Sequence, residues 1–211
     1  MNNNKILALI KIGEEKYMTE LLREGHVYMN TVSYFSTLEQ NSSRSDKDEG
    51  TGFCQNADGG SFYVKKEGKR LKLGTIEGGI RVRNEDILKR NLYCLHARIQ
   101  SDDNSDFQLK ELDLGNAYVL LKNADEFFRR LVIAASARGQ KIKHDLVEYV
   151  DRRSYTGSMG IFKKFSEMAF QNEYRIVTFP GTGSPLSLWI GNIEDIAIIG
   201  NNNERLKIES A

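Results

Sequence analysis

The way the chain begins narrows its fold more than any other feature. Ile6 to Ile12 is a short, partly β-branched apolar run that stops at Gly13, which marks a buried strand. Glu14 to Glu24 follows with Tyr17, Leu21 and Leu22 at helical spacing, and Gly25 stands where a left-handed helix end belongs. His26 to Phe35 is aromatic and β-branched and is expected to form a second strand. Tyr28, Asn30, Val32 and Tyr34 would share one face of it. A strand-helix-strand opening that did not recur would exclude a doubly wound sheet, and it does not recur.

Leu38 to Gly60 has no sustained period and is expected to be a long loop. Ser61 to Lys66 and Lys69 to Thr75 flank Glu67-Gly68 as a hairpin, and Ile80 to Arg83 follows another glycine turn. Asn84 to Arg90 suits a short helix, Asn91 to Gln100 and Ala117 to Leu121 suit strands, and Ser101 to Asp106 suits a polar turn. The clearest helix runs from Ala124 to about Arg138, capped by Asn123. Phe127, Phe128, Leu131, Val132 and Ala135 form its expected buried stripe. Lys143 to Arg153 is expected as a further helix, and Ile161 to Ala169 as helix or loop. Glu173 to Phe179, Ser187 to Ile190 and Ile196 to Ile199 are expected as strands. No linker or repeat divides the chain. The expectation is one α+β domain over residues 1–211, with mixed or antiparallel sheets and a few flanking helices.

Composition bounds the function. Thirty basic residues stand against 29 acidic ones for a net charge of +1, so a broadly basic nucleic-acid binder is excluded and only a local patch remains, such as Lys65, Lys66, Lys69, Arg70 and Lys72. Two cysteines give no zinc or disulfide framework. No segment near the start suits a secretion signal or membrane span, so the expected setting is cytoplasmic, with no membrane partner. Scattered His26, His96 and His144 give no metal spacing, and none is assigned. Two acidic stretches, Asp46 to Gly50 and Asp102 to Asp106, miss the glycine a calcium loop needs at its sixth position. Gly181-Thr182-Gly183-Ser184 offers a phosphate cradle or a plain turn.

Two stretches carry the chemistry. The first joins Tyr28, Asn30 and Tyr34 to a loop bearing Arg44, Asp46 and Glu49; aromatic rings with a guanidinium suit a ligand with a flat ring and a phosphate. The second is Gln171-Asn172-Glu173-Tyr174-Arg175, a carboxylate at the entrance of an apolar strand face. Such a group needs an ionic partner, a shifted pKa or a ligand. A surface pairing with Arg175, Lys163 or Lys164 is the plain alternative.

Together these residues resemble the pattern of an uncharacterised group of bacterial and phage proteins. More loosely, Gln171-x-Glu173 resembles the Gln/Glu-x-Glu motif of ADP-ribosyltransferases, with the same order of early strand, helix, tyrosine-rich strand and late Glu. That resemblance implies an ADP-ribosyltransferase-like fold and NAD as substrate, with a nucleic acid or protein as acceptor. Glu173 would stabilise the oxocarbenium-like ribose and Gln171 would orient the acceptor. Tyr28 or Tyr34 would stack on nicotinamide and Arg44 would grip pyrophosphate, with Asn30 and Arg175 completing the cofactor contacts. Lys11 stands where those families usually place Arg or His. The implied role is a toxin, defence or phage-encoded effector. The alternative is a non-enzymatic module that binds a nucleotide or a protein, with Tyr28, Tyr34, Arg44 and Arg175 as contacts and Glu173 structural. A third reading, ranked last, is a metal-dependent nuclease using Asp46, Asp48 and Glu49.

Overall fold

A computed structural model describes residues 5–38, 46–100 and 112–201. It is an α+β fold built on one large antiparallel sheet. β1 (Ile6–Gly13) leads into α1 (Glu15–Glu24), which ends at Gly25 with φ +67°, and β2 (His26–Thr31) follows. A Cβ on Gly25 would lie 2.1 Å from the Gly191 carbonyl oxygen, so this helix end needs glycine for space as well as for its φ.

The expected strand to Phe35 stops early. The Thr31 side chain accepts the Tyr34 N–H and caps α2 (Val32–Thr37), so Tyr34 and Phe35 ride on a helix. The local cap overrides β-propensity at that point. The expected loop 38–60 holds a strand, β3 (Thr51–Gln55). β4 (Ser61–Lys66) and β5 (Lys69–Thr75) form the expected hairpin, and β6 (Ile80–Arg83) pairs with β3. Next come α3 (Glu85–Leu88), capped by Asn84, and the nine-residue β7 (Asn91–Ile99). β8 (Ala117–Leu121) and α4 (Ala124–Ser136) match their expected positions, except that Val132 lies on the exposed side of α4.

The expected helix over 143–153 is instead β9 (Lys141–Leu146) and β10 (Glu148–Val150). Long-range pairing with a later strand decides it, and no local periodicity carries that information. β11 (Gly157–Ser158), β12 (Lys163–Phe165) and a 3-10 turn (Ser166–Gln171) lead to β13 (Glu173–Phe179), then β14 (Leu186–Trp189) and β15 (Ala197–Asn201).

β7 is the axis of the large sheet. His96 pairs with Glu173 of β13 and with Ile10 of β1, and Leu92 pairs with Val177 of β13 and with Asn30 of β2. β13 therefore takes one edge of β7, while β1 and β2 share the other and part between Tyr93 and Leu95. Lys11 sits at that parting, with Nζ donating to the Cys94 carbonyl at 2.9 Å and lying 4.1 Å from the Tyr93 ring centre. Beyond β1 come β8 and β15, beyond β2 comes β14, and beyond β13 comes β9.

One face carries α1 and α4 on Leu9, Val27, Met29, Tyr93, Leu95, Val119, Tyr174 and Ile176. The alternate residues face the other way. Val32, Ile87, Leu92, Ile161 and Val177 make a smaller core there, beside the charged side chains described next.

Candidate functional site

Strand alternation sends Tyr174 and Ile176 into the main core, and Glu173 and Arg175 to the opposite face. Arg175 is fully buried, and every polar contact of its guanidinium is to protein. Nη1 and Nη2 fork onto the Glu49 carboxylate at 2.8 and 2.5 Å, Nε reaches Glu173 Oε1 at 2.7 Å, and Nη1 also donates to the Ile161 carbonyl at 2.6 Å. Lys164, on β12, closes the other side. Its Nζ lies 3.1 Å from Glu173 Oε2, 2.7 Å from Gln171 Oε1 and 3.5 Å from Asp46 Oδ2.

The acids of the 46–50 turn are placed by the turn itself. Asp46 Oδ1 accepts the Asp48 N–H and the Asp46 carbonyl accepts the Glu49 N–H. Gly50 has φ +83°, and a Cβ there would meet Leu88 at 2.4 Å. Asp48 turns away from the cluster to Arg81 and Arg152 at 3.3 and 2.7 Å, and Arg152 lies over the Phe165 ring. Charge matching through forked, hydrogen-bonded pairs is what makes this burial tolerable.

Burial alone would raise the Glu173 carboxyl, but Arg175 and Lys164 hold it below the usual carboxylate range. Burial pulls Lys164 down, and Glu173, Glu49 and Asp46 together raise it above its ordinary value. The Cys94 thiol is pushed up by burial and then by the Glu173 charge. Tyr149, whose hydroxyl accepts the Glu173 N–H at 2.9 Å, is raised to about 12 by burial first and Glu173 second.

The sequence-predicted residues divide between two places. Glu173, Gln171 and Arg175 meet in the buried cluster, with Asp46 and Glu49 added. Gln171 reaches it from the 3-10 turn rather than from the strand. The surface pairing considered for Glu173 becomes a buried one with Arg175 and Lys164, while Lys163 pairs with Glu148 outside. Arg175, expected to contact a ligand, is enclosed by carboxylates and a carbonyl instead.

Tyr28 and Asn30 lie on the same face of the sheet as Glu173, since their neighbours Val27 and Met29 are in the main core. Tyr28 is 50% exposed. It stands edge-on to His26, whose ring stacks on the half-exposed Trp189 at 4.2 Å. His26 is fixed by Glu20 and Ser187, each at 3.0 Å. Asn30 turns its oxygen to the Thr31 N–H, and Tyr34 lies exposed on α2, edge-on to Phe35. Arg44 falls outside the described residues, as does the acidic stretch 102–106. Lys11, by alternation and by its Tyr93 contact, is on the Leu9 side, away from Glu173.

The sequence reading missed Lys164 as a buried counter-ion and missed the ring row of His26 and Trp189. Pairing of β14 with β2 creates that row by setting Trp189 opposite His26. The only advance signal was that Trp189 is the sole tryptophan and ends a strand.

The Gly181–Ser184 segment is a turn. Its N–H groups at Gly181, Thr182, Gly183 and Ser184 donate to Gln140, Asn91, Lys89 and Thr182 within the protein, so none is left to cradle an anion. Asp46, Asp48 and Glu49 are all paired with cations, and no group of three or more His, Cys, Asp or Glu side chains is set to hold a metal among the described residues. No protein-family model matches the chain, and neither does any curated protein or solved structure.

Proposed function

We propose that this chain is a non-enzymatic binding module that takes a flat-ring ligand, such as a nucleotide base or an aromatic side chain of a protein, on the His26–Tyr28–Trp189 row. One observation carries the reading. The carboxylate of Glu173 has both oxygens bound to protein cations and the residue is 6% exposed, whereas the rings of Tyr28 and Trp189 are half open to solvent. A carboxylate that stabilises a positive ribose must face it; this one faces Arg175 and Lys164. Aromatic rings at a sheet surface offer a stacking platform instead.

Because Trp189 is the sole tryptophan, its fluorescence reports on this row directly. Titration with adenine nucleotides, NAD included, should give a saturable quench that Tyr28→Ala weakens and Glu173→Gln leaves in place wherever that variant folds. No quench with any nucleotide would leave only a protein partner for the row.

A second reading keeps the ADP-ribosyltransferase-like effector that consumes NAD. What favours it is that Gln171 and Glu173 are joined through Lys164 on the same face of the sheet as Tyr28. It requires Lys164 to leave Glu173 when NAD enters. Nicotinamide release from NAD, abolished by Glu173→Gln in a variant that keeps its melting temperature, would establish this reading and overturn the first.

A further inference from the structure

The β4–β5 hairpin is a two-stranded ribbon that pairs with no other strand among the described residues, and its large side chains are open to solvent on both faces. Its register sorts them. Val64 pairs with Leu71 and Phe62 with Gly74, so Phe62, Val64 and Leu71 share one face. Leu73, the extra residue of a bulge between those two pairs, is 70% exposed at the base. Tyr63 pairs with Lys72 and Lys65 with Arg70, so the other face carries three cations, with the Arg70 guanidinium 4.7 Å from the Tyr63 ring centre. Lys66 pairs with Lys69 beside the turn at Glu67-Gly68, and the same alternation sets this pair at the tip of the Phe62–Val64–Leu71 face. At the root, Phe53 and Val82 of the neighbouring sheet pair with each other and are exposed as well.

An isolated hairpin has little stability of its own, and an exposed apolar patch on a folded protein marks a contact surface. Its charge identifies the partner. Within a chain of net charge +1, the segment 65–72 holds Lys65, Lys66, Lys69, Arg70 and Lys72 against Glu67 alone. Two copies packed ribbon to ribbon would set like charges together. A nucleic acid would use the cationic face and leave Phe62, Val64, Leu71 and Leu73 in water.

We infer that the ribbon docks on an anionic lipid surface. The apolar face enters the boundary between headgroups and acyl chains, and the cations rise along their aliphatic stems to the lipid phosphates. Among the described residues no strand pairs with the outer edges of β4 and β5, and open backbone groups there cannot sit in hydrocarbon. The ribbon therefore lies in the interface, about 5–10 Å deep, and does not span. The expected absence of a membrane partner rested on the lack of a spanning segment, and a ribbon lying in the interface needs none.

Sedimentation of the whole chain with phosphatidylcholine vesicles, and with vesicles of phosphatidylcholine and phosphatidylglycerol, tests this. Pelleting is expected with the anionic vesicles only, and it should fall as salt rises. Leu71→Ser with Leu73→Ser should weaken it at least about tenfold, from lost apolar burial. Lys65→Gln, Arg70→Gln and Lys72→Gln together should weaken it comparably and remove most of the salt dependence. Both variants should keep the wild-type melting temperature, since the altered side chains are exposed. Absence of pelleting would overturn the inference. So would pelleting that survives the leucine substitutions, or a gel shift with single-stranded or duplex DNA in a protein that ignores the vesicles.

Discussion

The Glu173–Arg175 cluster and the β4–β5 ribbon are both dense in charge, and they differ in everything else. In the cluster every guanidinium nitrogen of Arg175 ends on a carboxylate or a carbonyl, and the side chains come from two stretches more than a hundred residues apart, 46–49 and 164–175. In the ribbon five cations lie within eight residues and face water. Charge that is local in sequence stays open to solvent. Charge that is divided in sequence has been spent inside the molecule.

Four measurements press on that contrast. Replacing Arg175 with Met is expected to cost about 3–5 kcal/mol, because Glu49 and Glu173 are left buried with only Lys164 between them. Urea unfolding would measure it, and Arg175→Lys should recover only part, since an ammonium cannot fork onto Glu49 while reaching Glu173. Lys164→Met should cost less, about 2–3 kcal/mol, because Arg175 still holds both of its carboxylates.

The third measurement is pH dependence. The Glu173 carboxyl is depressed in the folded state, so its contribution is fully present above its unfolded value near 4.5 and is lost as pH falls through the depressed folded value. Wild-type stability should therefore drop below about pH 4.5 more steeply than that of Glu173→Gln, by up to about 1.4 kcal/mol per pH unit. Equal slopes would mean that Glu173 is not an ion-paired carboxylate. Smallest of all, Lys65→Gln with Arg70→Gln should move unfolding by no more than about 0.5 kcal/mol. A larger loss would show the ribbon held by contacts its exposure does not reveal.

The sequence disclosed what depends on near neighbours. The opening unit as far as Thr31, the hairpin, the capped α4 and the late strand all follow from periodicity, turns and caps, and they stand where expected. Thr31 was legible too, as a residue type that caps helices, but its aromatic neighbours outweighed it in the reading. β9 failed for the opposite reason: it is a strand only because β13 lies beside it.

The same limit governed the site. Gln171, Glu173 and Arg175 were singled out together with Asp46 and Glu49, and all five do assemble. Pairing of Glu173 with Arg175 or Lys164 was already the plain alternative; what could not be seen is that it is buried and that Glu49 and Asp46 complete it. Counter-ion geometry depends on how β12, β13 and the 46–50 turn pack, and a list of charges carries none of it. The carboxylate that looked like an invitation to a ligand already had its partners.

The placement of the closing strands bears on how the chain comes to be folded at all. β14 and β15 lie at opposite ends of the path through the large sheet, beyond β2 and beyond β8, and both come from Leu186 to Asn201. The connection between them is tied to α1 through the Gly25 and Leu22 carbonyls. A growing chain that has reached only Pro185 would thus present two bare margins at once, each ready to pair with a stranger. One late segment seals both, so synthesis and soluble folding should be coupled at that stretch, and a truncation there should aggregate rather than persist as a smaller working version.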